Sequence, residues 1–500
     1  DRRRQRQMCI RDRSRALFVL SLVALSLFAL VLPATANTLE LTPCRINAGP
    51  SYPSIKARCG TMQRPLDPND PDSSGIELRV AVVAALNLTP QPDPVVPLAG
   101  GPGQGAVQFY AAYASAFEAL RRDRDILLVD QRGTGDSSRM TCPFDEELVE
   151  GKYSVDITLE ATEDCLQQLP HDPRFFTTSV AVKDLEAVRA ALDYPALNLY
   201  GISYGTRVAQ HFARRYPDVT RSIVLDGVVP PQISLGPEIA TESQRALDTV
   251  FARCADDEGC NARFPDVARS FADLVAMLRE APVTVRTPHP NTGRIEELSF
   301  SSNELSAAVR LLAYHPNSVA LLPLLVHEAI GGNFVPLASQ YQLIALSFAD
   351  TLALGMHNSV MCSEDVPFYD DTLIDYDGLL ASYMGIFQLE AIEAICSIWP
   401  VGPVDDEFKV PLDTSLPVLL LSGDADPITP PRYAEMAAVD LQNALHLVGS
   451  QQGHGQLAVG CTPQLIADFV DAADPSAVDA ECLKRSFVMP FFVDFSGPQP

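Results

Sequence analysis

Five hundred residues, 47% hydrophobic and 20% charged, are enough for a large core and more than one folding unit. The formal charge of −26 disfavours contact with nucleic acid or anionic lipid, and both are excluded as main partners. The chain has no low-complexity tract and no evident internal repeat.

Seven arginines precede an apolar run of 17 residues, Ala16 to Leu32, and Ala34-Thr35-Ala36 follows it. A basic region, an apolar region and a small-x-small site predict a secretory signal peptide over residues 1–36. The run is short for a membrane span, so cleavage after Ala36 is expected, with no membrane association afterwards. The first residue is Asp1, and Met8 is a candidate start. Without residues 1–36 the formal charge falls from −26 to −31. The expected location is secreted or periplasmic.

Eleven cysteines are present, and Cys9 lies in the signal region. The other ten read as disulfides of an exported chain. Sequence does not fix their pairing. The simplest proposal joins neighbours: Cys44–Cys59, Cys142–Cys165, Cys254–Cys260, Cys362–Cys396 and Cys461–Cys482. No pair has C-x2-C spacing and no histidines cluster nearby, so zinc is not expected; no metal site and no cofactor are expected of the chain.

Residues 37–75, rich in proline and aspartate, read as an irregular lead-in. Leu78 to Leu86, Val95 to Leu98 and Ile126 to Val129 read as strands, with a helix from Ala106 to Leu120. A helix from Val180 to Leu192 precedes a strand from Ala196 to Tyr200, a helix after Ser203, and a strand from Ser222 to Leu225. This alternation predicts an α/β fold with a mostly parallel, doubly wound sheet. Residues 231–410 read as helices and turns, such as Asn303 to Tyr314 and Val319 to Ile330. Strands return at Val418 to Leu421 and Leu445 to Val448. The expected layout is a core in two parts, residues 37–230 and 411–500, with a helical insertion at 231–410.

Gly201-Ile-Ser203-Tyr-Gly205 stands where a strand meets a helix. A serine between glycines is usually only a turn. At a strand-to-helix junction, however, the flanking side chains would collide, and glycines there let the serine project its hydroxyl at the sheet edge. Such a hydroxyl needs a histidine to take its proton and a carboxylate to hold that histidine. In this architecture the chain order is serine, acid, histidine. His446 lies in a strand-like run, whereas His454 lies in the turn Gly453-His-Gly455. His454 is therefore the expected base. Asp424 and Asp426 both follow the strand at Val418, and Asp426, held extended by Pro427, is the expected acid. The oxyanion hole needs two N–H groups. Tyr204 follows the nucleophile, and Gly101 lies in the early loop Gly100-Gly101-Pro102-Gly103, where proline cannot donate.

Together, "GGPGQGA" (100–106), "DQRGTGDS" (130–137), "GISYGT" (201–206), "GDADPITPP" (423–431) and "GHG" (453–455) resemble the α/β-hydrolase superfamily. Within it they look like the proline-iminopeptidase and secreted tripeptidyl-aminopeptidase branch. The segment from Cys461 to Cys482 resembles the disulfide-linked tail of secreted members. The resemblance covers nearly all of residues 40–485. It implies a Ser203, Asp426, His454 triad and a cap formed by the insertion. Ala99 departs from the branch, since many iminopeptidases carry histidine there. Asp130 and Arg132 are read as loop supports.

An exopeptidase of this kind takes peptides with a free N-terminus, and a desolvated ammonium needs a carboxylate partner. The segment "SVMCSEDVP" (359–367) looks like the relatives' acidic cap segment and offers Glu364 and Asp365 as substrate-binding residues. The leading expectation is an exported serine aminopeptidase. An esterase or lipase-like enzyme with the same triad is the alternative, and a non-catalytic binding protein the third. Oligomeric state is not legible from the sequence.

Overall fold

The computed structural model describes residues 39–49, 52–142 and 154–498, so the signal segment expected over residues 1–36 lies outside them. Eleven strands matter here: β1 (Thr42–Ile46), β2 (Ile55–Pro65), β3 (Gly75–Val83), β4 (Val95–Leu98), β5 (Ile126–Val129), β6 (Leu197–Ile202), β7 (Thr220–Asp226), β8 (Val283–Pro288), β9 (Ile295–Phe300), β10 (Val418–Gly423) and β11 (Ala444–Gly449). Nine of them form one sheet in the order β1-β2-β3-β5-β4-β6-β7-β10-β11. The pairs among β1, β2, β3 and β5 are antiparallel, and all pairs from β5 to β11 are parallel. Residues of β4, β5 and β10 are buried throughout, as expected for parallel strands covered on both faces.

This topology fixes where chemistry can sit. Strand order reverses at β4, and the loops after β4 and β6 leave the same sheet edge side by side. Such a switch point opens a crevice at the carboxyl ends of the strands. The glycine loop follows β4 and Ser203 follows β6. Helices α1 (Thr178–Ala191) and α2 (Tyr204–Arg215) pack beside the sheet.

Two elements differ from the sequence reading of the N-terminal part. The lead-in is not irregular: β1 and β2 extend the sheet, with Ala57, Cys59 and Met62 buried and their neighbours exposed. Proline and aspartate flank these strands and hide the alternation. The helix expected from Ala106 to Leu120 is two pieces, Ala106–Ala112 and Glu118–Arg121. Phe117, between them, packs edge-on against Tyr200 and Phe109, and core packing overrides helix continuity.

Between β7 and β10 the chain leaves the sheet and builds a separate apolar cluster, including Phe251, Phe271, Phe300, Leu305 and Leu325. Helices of the stretch between β7 and β10 include α3 (Ser302–Leu312), α4 (Leu354–Val360) and α5 (Phe387–Ile398). Ser301 and Glu304 form a capping box that starts α3. The β8–β9 hairpin is an addition to the helical expectation, its turn carrying the proline and glycine that read as loop.

The five bridges join the cysteines in neighbouring order. They fit an oxidising compartment. Among the described residues no helix is long and apolar enough to cross a membrane. Peptide mapping of the non-reduced protein is expected to return these five pairs, and reduction to lower the unfolding temperature. Each lost loop commonly costs about 2–4 kcal/mol. A crossed pair or a free thiol among the ten cysteines would overturn this framework.

Candidate active site

Ser203 occupies the turn between β6 and α2 with φ 55° and ψ −126°. That left-handed conformation is strained for a residue with a side chain. The surroundings enforce it. A Cβ at Gly201 would stand 2.4 Å from the Gly205 carbonyl oxygen, and one at Gly205 would stand 2.0 Å from that of Leu98. The Ser203 N–H donates to the Asp226 carbonyl at 2.9 Å, and its own carbonyl accepts from the Thr206 N–H and hydroxyl.

His454 and Asp426 meet behind this turn. His454 Nδ1 lies 2.8 Å from Asp426 Oδ2. Asp426 is fully buried, and its Oδ1 accepts from the N–H groups of Ile428 and Thr429. Burial opposes its charge, but His454 and these donors hold its pKa below the ordinary value. Burial likewise pulls His454 down, yet Asp426 outweighs it and the imidazole pKa is raised. The nearby Asp226 adds to that rise.

The other sequence candidates fall elsewhere. His446, on β11, lies 3.0 Å from Ser422 Oγ. Asp424 accepts from the Gln451 N–H and forms a turn. Asp130 accepts from Val107 and Asp136 N–H groups, and Arg132 pairs with Asp184, so both hold loops.

Ser203 and His454 line one cavity of about 510 Å³, with Gly100, Gly101, Gln104, Tyr113 and, from the insertion, Arg310, Tyr314, Leu352, His357 and Gln388. An adjoining lobe of about 230 Å³ shares Ser203, Gly101 and Arg310 and has an apolar wall of Leu235, Ile239, Met361, Ile392, Ile395 and Ile428. Gly101 has φ +112°, a conformation that favours glycine. Tyr204 is the first residue of α2, whose opening N–H groups have no carbonyl within the helix. Gly101 and Tyr204 therefore flank Ser203 as candidate oxyanion donors.

Glu364 and Asp365 are not brought to the cavity wall. Both are fully buried beneath α2. Asp365 makes a two-pronged pair with Arg207 at 2.9 and 2.8 Å and accepts from the Leu235 N–H. Glu364 accepts from the Thr178 N–H and hydroxyl. Gln131 donates to the Tyr204 hydroxyl, which reaches Thr178 Oγ1, so a polar chain links Glu364 to the residue after Ser203. The sequence reading placed these two acids against a substrate ammonium; in the structure their oxygens are engaged by Thr178, Arg207 and the Leu235 N–H.

Residues 93–260 match the family model described as alpha/beta hydrolase fold, and residues 381–482 match that of TAP-like protein. The chain is 27% identical over 459 residues to the serine protease Hip1 of Mycobacterium tuberculosis, covering 83% of this chain and 84% of that protein. It is 27% identical over 217 residues to a tripeptidyl aminopeptidase of Streptomyces coelicolor, covering 37% and 39%. Among solved structures it is similar to a proline iminopeptidase of Mycobacterium smegmatis, at 17% identity and TM-score 0.41, covering 84% of this chain and 100% of that one. The chain is an α/β-fold serine hydrolase.

Several residues of the hydrolase's site were not legible in the sequence. Thr429 donates to Asp426 Oδ2 at 2.8 Å and lies 3.1 Å from His454 Nδ1, bracing the acid–base pair. Arg245, from the insertion, donates to the carbonyls of Asp424 and Asp426. The Tyr314 carbonyl accepts from the His454 N–H at 2.7 Å, and its ring packs edge-on against the imidazole. Asp226 accepts from Tyr200 and from the Gln456 and Leu457 N–H groups, fixing the chain just beyond His454. Only the three-residue spacing from Asp426 to Thr429 offered a local signal; the other contacts join distant segments.

A histidine held at Nδ1 by a carboxylate, as His454 is by Asp426, presents Nε2 as its remaining ring nitrogen for proton transfer. His454→Ala is expected to lower kcat by several orders of magnitude, and His446→Ala by less than tenfold. Steady-state rates of the two folded variants check this, and the reverse ranking would overturn the assignment.

Burial pushes the Glu364 carboxyl up to about 7 from an ordinary 4.5, with Arg207 pulling back. The folded state thus keeps a proton that the unfolded state releases, so stability falls as pH rises between about 4.5 and 7. Glu364 contributes on the order of 3 kcal/mol to that fall. Urea midpoints at pH 5 and pH 8 should differ less in Glu364→Gln than in the parent; equal differences would show that Glu364 does not titrate in this window.

Proposed function

We propose that the hydrolase is an exported serine peptidase that releases short fragments from the N-terminal end of peptides. Ser203 is the nucleophile, His454 the general base and then general acid, and Asp426 the group that orients it. Ser203 Oγ attacks the scissile carbonyl as His454 Nε2 takes its proton. The resulting oxyanion is met by the Gly101 and Tyr204 N–H groups. His454 then protonates the leaving amine, and water hydrolyses the acyl-enzyme.

The observation that carries this reading is the 2.8 Å His454–Asp426 pair facing the same cavity as the strained Ser203. The insertion over residues 231–410 is read as a cap. Roofing by Arg310, Tyr314, His357 and Gln388 favours chain ends and short peptides over internal segments of folded proteins. The relatives named as serine protease and tripeptidyl aminopeptidase support peptide substrates. The five disulfides support export. The apolar wall of the smaller lobe favours a second reading, an esterase with the same triad.

A fluorophosphonate probe should label the parent and not Ser203→Ala. Mass spectrometry of an unblocked octapeptide digest should show fragments of a few residues leaving successively from the N-terminus. Cuts at internal bonds alone would overturn the exopeptidase reading. Ester hydrolysis without peptide cleavage would select the esterase.

A further inference from the structure

The cavity above Ser203 holds a cation and no anion. Arg310, half-buried on α3, lines both lobes, and none of the residues lining either lobe is Asp or Glu. Its Nη1 donates to Gln388 Oε1 at 3.2 Å and its Nη2 to the Tyr314 hydroxyl at 3.4 Å. Both partners are neutral and both contacts are long. Its Nε is buried without an acceptor. Among the described residues no carboxylate pairs with it. Arg124, Arg132 and Arg207, more deeply buried, each meet one: Asp93, Asp184 and Asp365.

A guanidinium withdrawn from water costs free energy unless an anion answers it. In a chain of formal charge −26, with 63 acidic residues, the lack of one here is a property of the cavity. Arg310 also stands close to the reacting groups. Tyr314, its hydrogen-bond partner, holds the His454 backbone and packs on its ring. The Arg310 charge is felt at His454 and His357.

We propose that Arg310 is a specificity residue that binds a carboxylate of the substrate. The planar fork suits a carboxylate in two-pronged contact, with Gln388 and Tyr314 steering its orientation. The carboxylate has two sources: an acidic side chain on the acyl side of the scissile bond, or the C-terminal carboxylate of a short leaving peptide. The inference rests on Ser203 as the reacting centre.

Three substrate pairs test it. Ala-Ala-Glu against Ala-Ala-Gln p-nitroanilide reads the acyl-side acid. Tetra-alanine against its C-terminal amide reads the leaving-side carboxylate. p-Nitrophenyl hemisuccinate against p-nitrophenyl butyrate reads the acyl-side acid without any peptide bond. The parent is expected to favour the anionic member of at least one pair by roughly ten- to a hundredfold in kcat/KM. Arg310→Gln should bring that ratio close to one, and Arg310→Lys should keep part of it. Circular dichroism and fluorophosphonate labelling check the fold of each variant. If Arg310→Gln does not fold, the ratio in Arg310→Lys decides, and a ratio equal to the parent's counts against the fork. No preference in any pair, or equal losses on both members, overturns the proposal. An Arg310-dependent ratio on esters with no peptide cleavage leaves this inference standing and removes the peptidase reading.

Discussion

The close approach of two backbones at the end of β4 and β6 is the constraint on which the site depends. A Cβ at Gly205 would lie 2.0 Å from the Leu98 carbonyl oxygen, so α2 starts almost in contact with the strand that carries the glycine loop. A Cβ at Gly100 would likewise lie 3.1 Å from that of Ser203. These contacts bring the serine, the first N–H of α2 and the Gly101 loop to one sheet edge. The left-handed strain at Ser203 is sustained by them and by its N–H bond to Asp226.

The insertion completes this edge. Tyr314 holds the His454 N–H, Arg245 holds the carbonyls of the acid's loop, and Leu352 bridges to Gln104 on the glycine loop. His357 lies 3.2 Å from the Pro102 carbonyl. The loops of His454 and Asp426 and the glycine loop are thus each braced by a residue between β7 and β10. Substitutions far from Ser203 in sequence can therefore shift Asp426 or His454 through a single contact.

The parallel strands were legible to within a residue or two because each is a short apolar run closed by glycine, aspartate or proline, as at Val95 to Leu98 and Val418 to Gly423. Chain order and the turns they occupy singled out Ser203, Asp426 and His454, and the structure brings Asp426 to His454 and places Ser203 and His454 on one cavity. β1 and β2 were not, because one face of each is exposed and polar and their ends are rich in proline. Thr429 and Arg245 were not, because their roles exist only once 426 and 454, or 245 and 426, are neighbours. Glu364 and Asp365 show the remaining gap. An acidic pair near a cavity reads alike in sequence whether it faces a ligand or an arginine, and Arg207 lies 158 residues from Asp365.

That pairing also decides how the insertion is seated. Removing either partner of the Arg207–Asp365 pair would leave the other charge buried and uncompensated, at a cost of roughly 3–5 kcal/mol. Lys409 reinforces the same carboxylate at 3.4 Å. On the cavity side the insertion meets the glycine loop through backbone contacts, the Ala353 N–H to the Gly103 carbonyl among them, each contributing about 1 kcal/mol. The charged contacts lie beneath α2, where Glu364 and Asp365 meet Thr178 and Arg207. The backbone contacts lie at the glycine loop. The two acids thus bear on the position of α2, through Thr178 beneath it and Arg207 on it.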